Sequence, residues 1–154
     1  MTIETRVFGE ISIDPGKIIH FDNGIIGFPD LKDFALVYDL EKGNKAGIRW
    51  MQSLQEPAFA MPVMDPLTVS EEYNPVVDDE VLKPLGKLDP EETLVLVTVT
   101  IPKDLKLMSV NLKAPMVINA AERKACQIIL DSDTYQVKFP IFDILNKRKE
   151  EGAC

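Results

Sequence analysis

The chain has 154 residues, 45% of them hydrophobic, which is enough for one compact domain with a core and too short for two. It carries 17 Lys and Arg against 25 Asp and Glu, so its net charge of −8 disfavours a surface built to bind nucleic-acid phosphates. No apolar run reaches the roughly 18 residues of a membrane span, and the first residues lack the basic and apolar segments of a signal peptide. We expect a cytoplasmic single domain over residues 1–154, with a mobile tail at 147–154 and no membrane partner.

Strand signals recur along the chain and are separated by Gly, Pro and Asn. The predicted strands are Thr5–Phe8, Glu10–Ile13, Lys17–Phe21, Phe34–Leu40, Ile48–Leu54, Ala58–Met64, Leu94–Ile101, Val110–Asn119, Gln127–Asp131 and Tyr135–Phe139. Asn23-Gly24 marks a tight turn, and residues 131–134 are interpreted as a hairpin between the last two strands. Short helices are predicted at Asp78–Leu85, ended by Gly86, and at Phe142–Glu151. The pattern indicates an all-β fold, a sandwich or small antiparallel barrel with one or two short helices.

Few residues suit catalysis or metal binding. His20 is the single histidine and lies in a strand-like run, and no CxxC, HxxxH, GxGxxG or P-loop spacing is present. Cys126 lies in an apolar stretch and is interpreted as a small core residue, while Cys154 follows a polar tail, so we expect two free thiols. We therefore predict no enzymatic activity, no metal and no cofactor.

The negative charge is concentrated in one connection. Residues 65–92 hold nine acidic side chains against Lys83 and Lys87, which accounts for −7 of the net charge. One interpretation is a solvated, solubilising surface, and the other is a patch that attracts a basic protein partner. Tyr73 and Pro75 within this connection are residue types that anchor interfaces. Paired acids for hydrolysis would need a cleft holding carboxylates about 5–10 Å apart, which a loop is poorly suited to provide.

Several segments carry a family resemblance. Ser109–Asn119 reads SVNLKAPMVIN. Four other segments match in the right order, so that the resemblance spans nearly the whole chain: Ile26–Leu31 with Phe34, Trp50–Leu54 with Pro57, Met64–Pro66 with Tyr73, and Gln127 with Tyr135. The first segment is similar to the T-x-N-L-x-A-P-[IV]-[IV]-I-N strand of the FliW family of bacterial flagellar assembly factors. Departures are mild, with Ser109 where threonine is usual and Lys32-Asp33 where a Gly-Phe pair is common.

These segments also have structural explanations. Asn111 and Asn119 are suited to capping sheet edges through side-chain bonds to the backbone. Pro115 removes a ladder donor and implies an edge or a bulge. Trp50 is expected to be a core anchor with its indole N–H bonded to a carbonyl.

The resemblance implies a β-barrel-like, non-enzymatic regulator that is monomeric when free. Such proteins bind the RNA-binding protein CsrA and relieve its repression of flagellin translation, and they also bind flagellin, which competes for them; direct nucleic-acid binding is not expected. For the partner contacts we predict electrostatic roles for Glu71, Glu72, Asp78, Asp79 and Glu80, with Tyr73 as a packing anchor. A second candidate surface is an exposed edge at Asn111, Leu112 and Pro115, which would act by strand pairing. The alternative function is a small barrel that binds an apolar or sugar-like ligand in its mouth.

Overall fold

A computed structural model of the chain describes residues 2–6, 8–37, 48–75, 77, 79–130 and 134–146. The strands within these ranges are β1 Thr2–Thr5, β2 Gly9–Ser12, β3 Ile19–Phe21, β4 Asp33–Val37, β5 Arg49–Ser53, β6 Ala60–Met64, β7 Thr93–Thr100, β8 Ser109–Val110, β9 Met116–Asn119, β10 Lys124–Gln127 and β11 Phe139–Pro140. In the same described ranges, helix is limited to α1, Asp79–Leu82, residues 142–146 and several 3-10 turns. The predicted all-β class with few short helices is confirmed.

Seven of the strands close into a barrel in the order β7-β6-β5-β4-β3-β10-β9, and β9 returns to pair with β7. Neighbouring strands are antiparallel except for β3 and β10, which run parallel. Closure leaves no free edge within this barrel, since each of its strands has a partner on both sides. β8 pairs with the end of β7, β11 pairs with β8, and β1 and β2 form a separate two-stranded sheet.

The barrel interior holds an apolar cluster that includes Phe21, Phe34, Met51, Leu96 and Met116. Phe21 and Phe34 pack edge to face, with ring centroids 5.5 Å apart. The described part of the barrel interior is therefore a packed core. The alternative function, a ligand bound in the barrel mouth, stays a prediction.

Two further apolar clusters lie outside the barrel, beneath the connection between β6 and β7. Val69 and Tyr73 contribute to one of them, and Leu85 contributes to the other. Buried apolar side chains at three points attach this acidic connection to the barrel wall. It is therefore a fixed surface layer along these parts.

The first strand was predicted at Thr5–Phe8, and this position is wrong, because β1 runs over Thr2–Thr5 and ends where the predicted strand begins. The Thr5 hydroxyl accepts from the Phe8 N–H and donates to the Gly9 carbonyl, both at 2.9 Å, which builds a turn. Gly9 has φ +69°, a conformation that favours glycine. Local side-chain bonding at Thr5 therefore overrides the alternation that predicted a strand.

The predicted strand Val110–Asn119 is wrong as one element, because β8 and β9 are separated by a turn. Both pieces pair with β7: Val110 lies opposite Val99, and Met116 lies opposite Leu96. Six positions separate the first residues of these pairs and three separate their partners, so three extra residues loop out between them. The bulge expected at the proline is present, enlarged into a turn.

Towards the end of the chain, β10 begins and ends earlier than the predicted Gln127–Asp131. The predicted strand Tyr135–Phe139 is wrong over most of its length, since only Phe139 lies in β11. Residues 131–133 of the predicted hairpin lie outside the described residues, as do residues 38–40 of the fourth predicted strand. The helix predicted from Phe142 is present over 142–146. The tail at 147–154, with Cys154, lies outside the described residues.

Trp50 is half-buried and is not a member of the apolar clusters, so the prediction of a core anchor is wrong. Met51 beside it lies in the barrel interior, and alternation along β5 therefore directs Trp50 outward. Its ring packs edge to face on Phe8 at 5.8 Å. Trp50 thus attaches the β1–β2 hairpin to the outside of the barrel.

Candidate functional site: partner-binding surfaces

The first part of the acidic connection places Glu71 and Glu72 in an exposed turn. This turn follows a 3-10 segment, Pro66–Thr68, which begins where the Asp65 carboxylate accepts the Leu67 N–H at 2.9 Å. Val69 is buried just before the two glutamates. The chain around them is therefore well supported, while their own carboxylates remain in contact with solvent.

The second part of the connection forms α1, which places Asp79 and Glu80 in its first turn, both exposed. Glu80 pairs with Lys83 at 3.4 Å, three residues further on. Acidic residues in a first helical turn complement the partial positive charge of the free N–H groups there. Asp78 lies outside the described residues, so its contact role stays a prediction.

Tyr73 lies in the core of the domain. Its ring packs edge to face on Tyr135 with centroids 4.8 Å apart, and its hydroxyl donates to the Leu112 carbonyl at 2.7 Å. Burial raises the pKa of Tyr73 above its ordinary value, and Tyr135 adds to the shift. We assign Tyr73 a packing role inside the domain in place of the surface anchor suggested by its residue type.

The exposed edge expected at Asn111, Leu112 and Pro115 is absent, and this prediction is corrected. Leu112 is only 3% exposed, and Pro115 is buried. The Leu112 N–H donates to Gln136 at 2.9 Å, and the Pro115 carbonyl accepts from Ile128 at 2.9 Å. Chain segments on two sides therefore use the hydrogen-bonding groups that a docking strand would need.

Asn111 and Asn119 act as the sequence predicts, by bonding their side chains to the backbone. The Asn111 side-chain oxygen, Oδ1, accepts a hydrogen bond from the Lys113 N–H at 3.1 Å within the turn between β8 and β9. The Asn119 amide donates to the Leu85 carbonyl at 2.7 Å. Asn119 thus ties the end of β9 to the acidic connection.

An exposed apolar hairpin at Ile25–Phe28 has no counterpart among the predicted sites. Ile25 and Phe28 exchange backbone hydrogen bonds of 3.3 and 2.9 Å around the turn residues Ile26 and Gly27. Gly27 has φ +89°, which suits this turn position to glycine. Ile25 is buried, whereas Ile26 is 46% exposed and Phe28 47% exposed. Apolar residues placed directly after the Asn-Gly turn are the sequence signal that could have indicated this feature.

The hairpin is held at both sides by specific contacts. Gln127 on β10 accepts the Ile26 N–H at 2.8 Å. Gly24 has φ +68°, and a Cβ there would lie 2.5 Å from the Pro29 carbonyl oxygen, so the close approach requires glycine. These constraints define the position of the hairpin without a ligand.

A groove of about 330 Å³ runs beside the hairpin. Its lining residues are Gly27, Phe28, Pro29, Asp30, Leu31, Glu56 and Phe59. The rings of Phe28 and Phe59 lie 4.8 Å apart and form its apolar part. The side chains of Asp30 and Glu56 supply carboxylates, both on exposed residues. We refer to this site as the Phe28 groove.

Two glutamines of the β5 region support the far wall of the Phe28 groove. Gln52 is fully buried, and its amide lies 3.0 Å from the Pro57 carbonyl and 3.1 Å from that of Phe59. The Gln55 side-chain oxygen accepts the backbone N–H groups of Lys32 and Asp33 at 3.2 and 3.0 Å. The segments on the two sides of the groove are therefore joined to each other.

His20 lies in β3, as the sequence predicts, and has structural partners. Its Nδ1 is 2.7 Å from Asp33 and its Nε2 is 3.2 Å from Asp22.

Cys126 is a half-buried free thiol whose pKa is raised by burial, which disfavours the reactive thiolate. Across the described ranges, no group of three or more His, Cys, Asp and Glu is placed to hold a metal ion. In the same ranges, no helix is both long and apolar enough to cross a membrane.

The geometry is that of a closed barrel with a fixed acidic connection and a separate apolar groove, and comparison with known proteins identifies its family. The model of the FliW protein family matches residues 2–141. The chain belongs to the FliW family. It is 43% identical over 156 residues to the flagellar assembly factor FliW of Lachnoclostridium phytofermentans, with 100% of both chains covered. It is 46% identical over 150 residues to the flagellar assembly factor FliW of Lachnospira eligens, covering 97% of this chain and 99% of the relative.

A solved structure supports the same conclusion. The crystal structure of a flagellar assembly factor FliW superimposes with a TM-score of 0.82 at 30% identity, covering 92% of this chain and 97% of that one. The resemblance found from the sequence is therefore confirmed as family membership. Of the segments that carried the resemblance, Ile26–Leu31 supplies five of the seven lining residues of the Phe28 groove, and Gln52 of Trp50–Leu54 bonds to the segment that holds Phe59.

Proposed function

We propose that this protein is a non-enzymatic, cytoplasmic flagellar assembly factor that binds and antagonises CsrA, relieving repression of flagellin synthesis, and that also binds flagellin. Membership of the FliW family supports this proposal, since its relatives are named flagellar assembly factors. The free protein is proposed to be a monomer. It acts by binding its protein partners and makes no direct contact with nucleic acid.

The observation that carries the CsrA part is the fixed acidic connection. Residues 65–92 hold most of the net negative charge, and Val69, Tyr73 and Leu85 attach this segment to the barrel. An RNA-binding protein presents basic surface to phosphate, so its charge is complementary to this connection. Charges held in place on a rigid support produce a stronger directed field than charges on a freely moving loop.

The acidic connection need not occupy the RNA site of CsrA to oppose RNA binding. Docked beside that site, the carboxylates of Glu71 and Glu72 would repel the phosphate backbone of an arriving RNA. The coupling between the two binding events is reciprocal, so RNA would weaken the binding of this protein by the same factor. Competition between flagellin and CsrA would then link translation to the supply of unassembled flagellin.

The test is the association rate of purified protein with CsrA at low and high salt, with affinities from calorimetry. We expect Glu71→Lys combined with Glu72→Lys to slow association by about tenfold at low salt and by much less at high salt, because screening removes the steering. The matched control is Glu4→Lys combined with Glu10→Lys, which changes the net charge equally on the exposed face of the β1–β2 hairpin. Circular dichroism melting checks that both double variants are folded.

The outcomes separate the surface from the function. If both double variants slow association with CsrA equally, the effect comes from net charge, and the acidic connection is not the contact surface. Absence of wild-type binding to CsrA at either salt would overturn the CsrA part of the proposal. Addition of flagellin monomer to the preformed complex should release CsrA, and a stable ternary complex would contradict the proposed competition.

A further inference from the structure

We propose that the Phe28 groove is a second docking site, which takes a partner segment carrying an apolar side chain next to a lysine or arginine. The site is separate from the acidic connection in chain position and in chemistry. That its occupant is a polypeptide rests on the protein-binding function proposed above.

The first argument is the exposure of two apolar side chains on one short hairpin. Ile26 and Phe28 are about half exposed, at 46% and 47%, on a hairpin whose first residue, Ile25, is buried. Single exposed apolar residues are common on protein surfaces and do not by themselves indicate a binding site. Here Phe28 packs on Phe59 to form the apolar part of a concave space, and an apolar patch beside a concavity is typical of a binding site.

The second argument is that the groove is preformed. Gln127 holds one side of the hairpin, Gly24 permits its close approach to Pro29, and the buried Gln52 holds the Phe59 wall. A site that is ordered before binding avoids the entropy cost of ordering its walls on association. A groove present by chance between mobile loops would lack this set of supporting hydrogen bonds.

The third argument is charge, which selects the occupant. Asp30 and Glu56 line the groove, and among the described residues neither carboxylate forms a salt bridge. Two carboxylates beside an aromatic ring favour a cation, which can pair with the acids and lie over the exposed face of Phe28. The same two acids oppose an anionic lipid surface, and the net charge of −8 opposes a second copy of this chain.

The experiment measures binding of wild type and variants to purified CsrA and to flagellin monomer, each by calorimetry. We expect Phe28→Ser to weaken binding to one of the two partners by at least about tenfold, as loss of a central aromatic contact does. Val137→Ser is the matched control, because Val137 is 56% exposed and lies outside the groove. It should leave both affinities within about twofold.

A second pair of substitutions tests the cation. Asp30→Asn combined with Glu56→Gln keeps the shape of these two side chains and removes their charge. The double variant should bind the same partner roughly threefold to tenfold more weakly at low salt, with a smaller loss of affinity at high salt. Phe28→Leu keeps an apolar side chain and removes the aromatic ring, so it provides a second variant of a lining residue in case Phe28→Ser is poorly folded, which thermal melting will show.

The results distinguish this inference from the proposed function. If wild type binds its partners and the groove variants bind equally well, the groove is not a docking site and the proposed function stands. If the Phe28 variants lose binding and the neutral double variant does not, the basic character of the occupant is wrong. Concentration-dependent dimerisation of wild type that is lost in Phe28→Ser would identify a second copy as the occupant and overturn the proposal.

Discussion

Replacing Asn119 with alanine should destabilise the domain strongly, because this one side chain joins three parts of the chain. It is 1% exposed, and its amide donates to the carbonyls of Leu85 at 2.7 Å and Lys87 at 3.1 Å. Its carbonyl accepts the N–H groups of Ala121 and Glu122 at 3.1 and 3.3 Å. At about 1 kcal/mol for each bond, the free energy of unfolding should fall by about 3–4 kcal/mol. For a chain of this size, that corresponds to a drop in Tm of about 10 °C.

The assay is urea unfolding followed by circular dichroism, with thermal melting as a second measure. Asn111→Ala is the matched control, since the Asn111 side chain is half-buried and its oxygen accepts from Lys113. That variant should lose about 1 kcal/mol. If the two variants differ by less than about 0.5 kcal/mol, the hydrogen bonds of Asn119 do not stabilise the domain as argued.

Three further changes test separate parts of the fold. Gly24→Ala should lower the free energy of unfolding by about 2 kcal/mol or more, because the added Cβ combines a positive φ with a backbone clash. Gly27→Ala also has a positive φ, but its Cβ meets open space, so the loss should be about 1 kcal/mol. Equal losses in urea unfolding would contradict this. Glu10→Lys should raise the free energy of unfolding by up to about 0.5 kcal/mol, since Glu10 lies directly opposite Glu4, and the gain should shrink at high salt. Tyr73→Phe should cost about 1–2 kcal/mol at neutral pH through its lost hydrogen bond. Because burial raises the Tyr73 pKa, the unfolded chain releases the phenol proton first, so wild-type stability should fall above about pH 10 and the Phe variant should show a smaller fall.

The paired strands β5 and β6 and the strand β7 follow from local pattern. Alternating or continuous apolar residues bounded by turn residues predict them within a residue or two, because one strand face or both are buried. Ser109–Asn119 has the same kind of pattern and yet divides into two strands. Its three extra residues are accommodated by contacts from the Gln127–Leu130 and Gln136 regions, which pattern along the segment itself does not reveal.

The candidate surfaces divide in the same way. Exposed positions for Glu71, Glu72, Asp79 and Glu80 follow from their charge, since burying an unpaired carboxylate is costly. The burial of Tyr73 does not follow from its residue type, because an aromatic ring with a hydroxyl suits an interface and a core equally well. Only the position of the Leu112 carbonyl, from a distant segment, decides in favour of the core.

Composition, periodicity and turn residues by themselves determined a β-rich domain with one acidic connection, because these properties depend on side chains close together in the chain. Three other features exist only in the folded domain: the barrel closes through β9 and β7, the expected edge at Asn111–Pro115 is covered, and Phe28 meets Phe59 beside the carboxylates of Asp30 and Glu56. Each of these features joins segments far apart in sequence. Its existence depends on strand register and burial across the whole barrel, which no local pattern specifies.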